Sequence, residues 1–341
     1  MRLHIFVMKF NKYEKNPILF PVKNHSWEDL CVLNPGVIYD DNSGKFVMLY
    51  RAGANDIKHK ICLGLATSED GFNFTRCNDE PVFNPPETEV DGGCVEDPRI
   101  VKIDDYFYIT YAARAFCPGR YWLPNFKEER AQWFKPQKDT VPAFYRINHT
   151  VTYLAMTKDF INYTRLGRIT DSRIDDRDVV IFPRRINGKY VKISRPALKN
   201  EYSMKISFSD DLLEWGPIET LYKGIEDWES YKVGAGCPPI ETDEGWLLIY
   251  HGVSNKDQKY RVGILLLDKN DPRKILARTK NYVMEPDQPY ECSGGLYDGC
   301  VFPTGAVIKD KILYVYYGCA DKYISVATIS IDELIKELKT Q

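Results

Sequence analysis

The chain has 341 residues, of which 44% are hydrophobic and 28% are charged, an ordinary composition for a globular protein. Its formal net charge is −2, which argues against a nucleic acid or an anionic membrane surface as a partner. The longest apolar run, "VGILLL", is far shorter than a membrane span requires.

The cysteines and the first residues of the chain predict a location. Nine cysteines, an odd number, occur without a paired Cys-x-x-Cys spacing, so we expect reduced thiols and a cytoplasmic protein. The opening stretch "MRLHIFVMKF" has neither the long apolar segment nor the small-residue cleavage site of a signal peptide.

Five predicted β-hairpins follow one another along the chain, each with a proline near its start. They are "NPGVIYDDNSGKFVMLYR" from Asn34, "EDPRIVKIDDYFYITYAA" from Glu96, "FPRRINGKYVKISR" from Phe182, "PPIETDEGWLLIYH" from Pro238 and "FPTGAVIKDKILYVYYG" from Phe302. Polar turns such as Asn-Gly join the two strands, and another strand pattern follows each hairpin. About four strands repeated five times predict an all-β fold, a five-bladed β-propeller that occupies residues 1–341 as one catalytic domain.

The prolines set the phase of the predicted repeat. We align as equivalent Pro35, Pro98, Pro183, Pro239 and Pro303. Helical patterns between the strands are almost lacking, which argues against a parallel βαβ architecture. A pair of β-sandwiches is the remaining alternative.

Two further elements interrupt or end the repeat. An insertion from Arg114 to Arg146 follows the second hairpin, and we interpret it either as a surface excursion or as a lid beside a pocket. Four of its aromatic residues could stack on an acceptor sugar or pack between subunits of a homo-oligomer: Tyr121, Trp122, Phe126 and Trp133. The tail "SIDELIKELK" predicts a short C-terminal helix, with Ser330 and Glu333 in capping-box positions.

Hairpin geometry gathers charged residues at one face of the propeller. The start of the first strand and the end of the second strand lie at the same end of a hairpin. The starts supply Asn34, Glu96 and Asp97. The ends supply Arg51, Arg195 and His251, and Asp321 lies just past its strand. The sequence therefore predicts an axial pocket that combines a carboxylic acid with several cations.

Cations around one acid favour a particular chemistry. Two further basic residues flank repeats, Arg177 in "DDRDVVIFP" and Lys232 in "WESYKVGAGCPPI". Arginine binds phosphate through two parallel hydrogen bonds, so the cluster is typical of an anion site. Glycosidases usually need two carboxylates, whereas an enzyme that uses inorganic phosphate as nucleophile needs only the acid. Motifs of P-loop NTPases, zincins and α/β-hydrolases are lacking in the sequence.

The motif-bearing segments resemble glycoside hydrolase family 130. They are "NPGVIYDD", "GGCVEDPRI", "DDRDVVIFPRRINGKY", "WESYKVGAGCPPIETDEGWLLIYHG" and "YDGCVFPTGAVIKDKILYVYYGCAD", in the family's order and over nearly the whole chain. The resemblance implies a five-bladed propeller and inverting phosphorolysis of β-linked manno-oligosaccharides to α-mannose 1-phosphate. Inorganic phosphate is then a substrate, and neither a cofactor nor a metal is expected.

The resemblance also assigns roles to individual residues. It makes Asp97 the proton donor, which passes its proton either directly or through a substrate hydroxyl. The implied phosphate ligands are Arg177, Arg195, Lys232 and His251, with Tyr260 as a weaker match. The implied sugar contacts are Asn34, Arg51, Asp97, Asp298 and Asp321. Since consecutive strand residues point to opposite faces, we expect only one of Glu96 and Asp97 to face the pocket, with Glu96 turned aside.

Alternatives remain for the substrate and the reaction. We favour β-1,2-mannobiose slightly over β-1,4-linked mannosides. One rival hypothesis is a β-mannoside hydrolase that uses Asp97 with a second carboxylate such as Glu226 or Glu229. Another is a sugar-binding propeller without catalysis. The cations argue against the first rival, and an acid beside them argues against the second.

Overall fold

The computed structural model describes residues 8–86, 92–135, 138, 140, 143–199 and 201–340. These residues form five antiparallel β-sheets in chain order, so the predicted five-bladed β-propeller is confirmed. The pair of β-sandwiches is thereby excluded. No helix in the described part of the chain is both long and apolar enough to cross a membrane.

The strands of each blade follow one another in the sheet. Blade 1 contains β2 (Cys31–Asp40), β3 (Lys45–Gly53), β4 (Ile61–Ser68) and β5 (Thr75–Arg76). Blade 2 contains β6 (Cys94–Ile103), β7 (Tyr106–Arg114), β8 (Val151–Thr157) and β9 (Tyr163–Arg168). Blade 3 contains β10 (Asp176–Ile181), β11 (Tyr190–Pro196), β12 (Met204–Ser209) and β13 (Glu219–Tyr222).

The last two blades depart slightly from this plan. Blade 4 contains β14 (Lys232–Ala235), β16 (Gly245–Val253), β17 (Tyr260–Leu267) and β18 (Ile275–Arg278), and β15 (Ile240–Thr242) also pairs with β16. Blade 5 contains β19 (Val301–Lys309), β20 (Ile312–Cys319), β21 (Tyr323–Ser330) and the N-terminal β1 (Asn11–Lys12).

The first strand of each blade lies next to the central channel. Strand β2 contacts both β6 and β19, and β10 contacts both β6 and β14. The hydrophobic side chains of the sheets pack between neighbouring blades. The largest cluster, for example, includes Ile249 of blade 4 and Val315 of blade 5. This arrangement leaves the inner strand ends free to carry polar side chains.

Helices are short and lie outside the sheets. They are α1 (Phe126–Ala131), α2 (Ala143–Ile147), α3 (Pro289–Cys292), α4 (Ile331–Leu338) and a 3-10 turn, Asp227–Glu229. Helix α4 is the predicted C-terminal helix, and Ser330 caps it by accepting a hydrogen bond from the Glu333 amide at 3.4 Å. Its Leu334 and Leu338 are buried in the cluster between blades 4 and 5.

The same polar turn follows the third strand in blades 1, 2 and 3. In blade 1, Ser68 Oγ accepts from the Gly71 amide at 3.0 Å, and Asp70 Oδ1 accepts from the amides of Phe72 and Asn73. The equivalent pairs are Thr157 with Asp159 and Ser209 with Asp211. Where the chain leaves each of these strands, backbone amides no longer have a partner in a neighbouring strand. The oxygen atoms of short side chains accept hydrogen bonds from these amides instead.

The proline alignment is wrong in two blades. Pro35, Pro98 and Pro303 lie inside the inner strands, where each coincides with an irregularity of the ladder. Pro183 instead follows β10, and Pro239 precedes β15. A proline has no backbone N–H to donate to a neighbouring strand, so it is best tolerated at a bulge or at a strand boundary. The proline lies at a bulge in three blades and at a strand boundary in the other two.

The predicted insertion lies in the second blade, between β7 and β8. It packs on blade 1, because the Gly119 amide donates to the Lys58 carbonyl at 2.9 Å and Trp122 meets the His59 ring at 4.7 Å between centroids. Residues 136, 137, 139, 141 and 142 of the insertion lie outside the described residues. The described part bridges two blades beside the channel.

Candidate active site

A cavity of about 890 Å³ lies at one end of the channel, where the predicted residues gather. Eight of the predicted site residues line it: Asn34, Arg51, Asp97, Arg177, Arg195, Lys232, Tyr260 and Asp321. They come from all five blades, since each inner strand or its neighbour ends at this face. The clustering that hairpin geometry predicts is therefore present for these residues.

Asp97 is held by one of its two carboxylate oxygens. Asn34 Nδ2 donates to Asp97 Oδ1 at 2.8 Å, and Arg51 Nη1 donates to the same oxygen at 3.1 Å. Within the described part of the chain, both of these hydrogen bonds go to Oδ1 and neither goes to Oδ2. Asp97 therefore has a fixed orientation and one oxygen available to a bound molecule.

The expectation that Glu96 turns aside is wrong, because both acids line the cavity. Arg51 Nη1 lies 3.2 Å from Glu96 Oε2 as well as 3.1 Å from Asp97. The reason is a bulge between Glu96 and Arg99, where Asp97 takes a left-handed φ of 52° and breaks the strand alternation. Burial raises the pKa of Glu96, but Arg51 and Arg114 outweigh it and hold the pKa at about 2.

Two arginines face each other across neighbouring strands of blade 3. Arg177 of β10 and Arg195 of β11 are direct partners in the ladder, a like-charge arrangement that is normally destabilising. Each has its own carboxylate: Arg177 binds Asp175 through two bonds of 2.8 and 2.9 Å, and Arg195 Nε binds Asp178 Oδ2 at 2.6 Å. The remaining guanidinium nitrogens can bind an anion.

Lys232 lies at the start of β14 and lines the same cavity. Its Nζ donates to the Tyr260 hydroxyl at 2.5 Å. Burial, together with the nearby positive charge of Arg195, lowers the pKa of Lys232 to about 8. A bound anion would favour the charged form of this amine.

Two predicted residues do not line the cavity. His251 is fully buried behind Asp178, with its Nε2 3.5 Å from Asp178 Oδ2 and its ring 4.6 Å from the Phe302 ring. Burial lowers the pKa of His251 to about 3, so the imidazole is neutral near pH 7. Asp298 is exposed in the loop before β19.

Asp178 is a cavity residue that the sequence argument missed. It is 3% exposed and adopts a left-handed φ of 55° at a bulge of β10, as Asp97 does in β6. Burial raises its pKa, but Arg195 beside it lowers the pKa well below the ordinary value. The sequence does contain a signal for Asp178. An Asn or an Asp, both of which tolerate a left-handed φ, occupies the equivalent bulge position in three inner strands, in the pairs Asn34-Pro35, Asp97-Pro98 and Asp178-Val179.

Asp321 follows β20 and supplies a further carboxylate to the cavity. Burial raises its pKa to about 6, and the neighbouring negative charge of Asp97 acts in the same direction. The carboxylates suggested for a hydrolase lie elsewhere. Glu229 is buried between the hydroxyls of Tyr222 and Tyr250, and Glu226 pairs with Arg278.

The insertion forms part of the cavity wall. It contributes Pro118, Tyr121, Phe126 and Arg130, and Ile147 follows on the same side. Tyr121 and Ile147 are 43% and 62% exposed, respectively, which leaves apolar surface open at the rim. Trp122 and Trp133 do not line the cavity. In the described part of the chain, no cluster of three or more His, Cys, Asp or Glu side chains could hold a metal ion.

Comparison with known proteins shows that the chain is similar to mannoside phosphorylases. A family model described as β-1,4-mannooligosaccharide phosphorylase matches residues 8–129 and 143–340. The chain is 36% identical to a 1,2-β-oligomannan phosphorylase of Thermoanaerobacter sp. (strain X514), over 96% of this chain and 99% of that protein. It is 30% identical to a β-1,4-mannooligosaccharide phosphorylase of Ruminococcus albus, over 96% and 90% of the two chains.

A solved structure has the same fold. The β-1,2-mannobiose phosphorylase of Listeria innocua, determined as a complex with β-1,2-mannobiose, superposes with a TM-score of 0.78. The match covers 98% of this chain and 100% of that chain, at 26% sequence identity.

Proposed function

The chain belongs to glycoside hydrolase family 130, and from this premise we propose that it is a β-mannoside phosphorylase that releases α-mannose 1-phosphate from β-linked manno-oligosaccharides. The observation that carries the proposal is the joint presence of Asp97 with Arg177, Arg195 and Lys232 in one cavity. One acid beside several cations matches a reaction in which an anion replaces the activated water of a hydrolase.

The cations supply the binding and orientation of inorganic phosphate. Arg177 binds Asp175 through Nε and Nη2, and Arg195 binds Asp178 through Nε, which fixes both side chains. Nη1 of Arg177 and the two Nη atoms of Arg195 remain for the phosphate oxygens. Lys232 adds a point charge from the neighbouring blade. Phosphate held in this way is a positioned nucleophile, and positioning avoids much of the entropic cost of a bimolecular step.

Asp97 is the proposed general acid. A phosphate oxygen forms a bond to the anomeric carbon while the glycosidic bond to the leaving oxygen breaks, which inverts the configuration from β to α. The leaving oxygen takes the Asp97 proton, directly or through a substrate hydroxyl, and a proton from solvent restores the acid. Asn34 and Arg51 hold the carboxyl group in place during this transfer.

We favour a β-1,2 linkage for the substrate. The support is that the relative named for 1,2-β-oligomannan shares 36% identity, whereas the relative named for a β-1,4-mannooligosaccharide shares 30%. The apolar rim around Tyr121 gives the cavity a surface suited to an acceptor sugar.

The test is turnover of a panel of β-1,2- and β-1,4-linked mannobioses with and without inorganic phosphate. We expect α-mannose 1-phosphate to form only when phosphate is present, and fastest from β-1,2-mannobiose. Free mannose released at the same rate without phosphate would instead identify a hydrolase. Phosphorolysis that is fastest with the β-1,4-linked disaccharide would retain the reaction and overturn the linkage.

A further inference from the structure

Arg99, the last residue of the Glu96-Asp97-Pro98-Arg99 motif, has no part in the chemistry described above. It is 3% exposed and lies in β6 beneath the cavity. Its Nε donates to the Gly236 carbonyl at 3.1 Å, and its Nη1 donates to the Asp97 carbonyl at 3.0 Å. Its Nη2 donates to Asp178 Oδ1 at 3.2 Å. Each guanidinium nitrogen therefore has a protein partner.

These partners belong to different blades. Asp97 is in blade 2, Asp178 is in blade 3, and Gly236 follows the inner strand of blade 4. The guanidinium carbon also lies 5.8 Å from the ring centroid of Phe302 in blade 5. One rigid, planar group thus contacts four blades at the centre of the propeller.

Asp178 continues the connection toward the phosphate-binding cations. While Oδ1 accepts from Arg99, Oδ2 accepts from Arg195 Nε at 2.6 Å. The carboxylate also has little room to move, since a Cβ atom added to Gly234 would lie 2.4 Å from Oδ2. The carboxylate is therefore locked between two guanidinium groups and the backbone of blade 4.

We propose that Arg99 and Asp178 are a pair of positioning residues that hold the phosphate-binding Arg195 and the acid Asp97 in one fixed relative geometry. The connection runs from Arg195 through the Asp178 carboxylate and the Arg99 guanidinium to the Asp97 carbonyl. The inference rests on the proposed function, because it concerns the distance between nucleophile and acid in phosphorolysis.

Stability alone is a weak reason for such a pair. Burying two charges carries a large desolvation penalty, and well-packed apolar residues often give equal or greater stability. Displacement at the anomeric carbon, by contrast, needs phosphate and acid placed together to a fraction of an ångström. A misplacement of about 1 Å can reduce the rate about a hundredfold.

The experiment compares Arg99→Met, Arg99→Lys, Asp178→Asn and the double variant Arg99→Met/Asp178→Asn in phosphorolysis of β-1,2-mannobiose. We expect Asp178→Asn to raise the KM for phosphate and both Arg99 variants to lower kcat, by about a hundredfold for Arg99→Met. The double variant should lose less than the product of the two single losses, because each single change already breaks the connection. Arg99→Lys, which keeps the charge, carries the test if Arg99→Met does not fold.

A second substrate separates positioning of the acid from general damage. On an aryl β-mannoside whose leaving group needs no protonation, Arg99→Met should lose much less activity than on mannobiose, whereas Asp178→Asn should show the same rise in phosphate KM on both. The control is Thr110→Val, which removes a buried hydrogen bond to the Val179 carbonyl between the same two blades without reaching the cavity. We expect it to lower the melting temperature and leave both kinetic constants unchanged.

The outcomes are distinct. Equal losses of activity by Arg99→Met on mannobiose and on the aryl mannoside, multiplicative losses in the double variant, or variants that behave like Thr110→Val would overturn the inference while leaving phosphorolysis intact. Wild-type turnover that is independent of phosphate would overturn the proposed function itself.

Discussion

Asn34, Asp97 and Asp178 share an unusual backbone conformation at the channel. Their φ angles are 47°, 52° and 55°, and each lies at an irregularity of the inner ladder. Side chains of Asn and Asp tolerate this left-handed region better than other residues with a Cβ atom do. An Asp→Asn exchange therefore changes the carboxyl group and keeps the backbone, which makes it the appropriate test of the acid.

We expect Asp97→Asn to lower turnover of mannobiose by at least about 10²- to 10⁴-fold, because general acid catalysis typically contributes that much. The variant should keep its melting temperature and its KM for phosphate. An aryl mannoside with a good leaving group should recover part of the loss. If Glu96→Gln or Asp321→Asn loses this activity and Asp97→Asn does not, the acid is assigned to the wrong carboxyl group.

Lys232 gives the phosphate site a pH dependence on the alkaline side. Since its pKa is lowered to about 8, the amine loses its charge as the pH rises through 8, and the attraction for phosphate weakens. We expect kcat/KM for phosphate to fall above about pH 8 in the wild type. Arg remains charged throughout this range, so Lys232→Arg should lack this decline. The same decline in both proteins would assign it to another group.

The limits of sequence reasoning are clear at individual residues. Hairpin ends correctly placed Asn34, Arg51 and Asp97 at one face, because strand topology fixes which ends meet. The positions of the hairpin ends do not predict that His251 is buried behind Asp178, because the burial of a side chain depends on packing between blades. His251 as a direct phosphate ligand stays a prediction, and so does a sugar contact by Asp298.

At the scale of elements, one repeated feature has a variable spacing to the strands, so the hairpin pattern does not reveal it. An aromatic-glutamate pair precedes the inner strand of three blades: Trp27-Glu28, Trp228-Glu229 and Tyr290-Glu291. Each glutamate is buried and accepts a hydrogen bond from a tyrosine on the second strand, namely Tyr50, Tyr250 and Tyr317. The pattern ties the entry loop to the sheet and, like the prolines, marks three of the five blades.

The insertion is the element with the most direct bearing on the acceptor. Tyr121 lines the cavity and is 43% exposed. In the synthetic direction, we expect Tyr121→Ala to raise the KM for the acceptor sugar about tenfold, because the sugar loses an apolar contact. The KM for α-mannose 1-phosphate should not change. Trp133→Phe, in the same insertion but outside the cavity wall, is the matched control. If the two variants have the same KM for the acceptor sugar, the insertion has no part in acceptor binding.

On the scale of the whole molecule, the ring is closed by its N-terminal strand. Strand β1 pairs with β21, so the last blade contains both ends of the described chain. The five hairpins predicted the number of blades, but β1 is only two residues long and carries no recognisable strand pattern. Closure of this kind depends on contacts such as that between Asn16 and Val326, which are 310 positions apart, and local sequence patterns do not encode them.

Lys12 fixes this closure, and its removal tests the whole-molecule role of β1. Lys12 Nζ lies 2.6 Å from Glu291 Oε2 and donates to the Glu285 carbonyl at 2.8 Å, while Glu291 is fully buried. Lys12→Met leaves that buried carboxylate without its cation, so we expect a loss of about 3 kcal/mol in the free energy of unfolding. The measurement is denaturant unfolding of Lys12→Met beside Lys15→Met, which replaces an exposed lysine on the same segment. Phosphorolysis by the folded protein should be unchanged in both, because neither residue lines the cavity. Equal stability of the two variants would show that the N-terminal strand does not hold the ring closed through this pair.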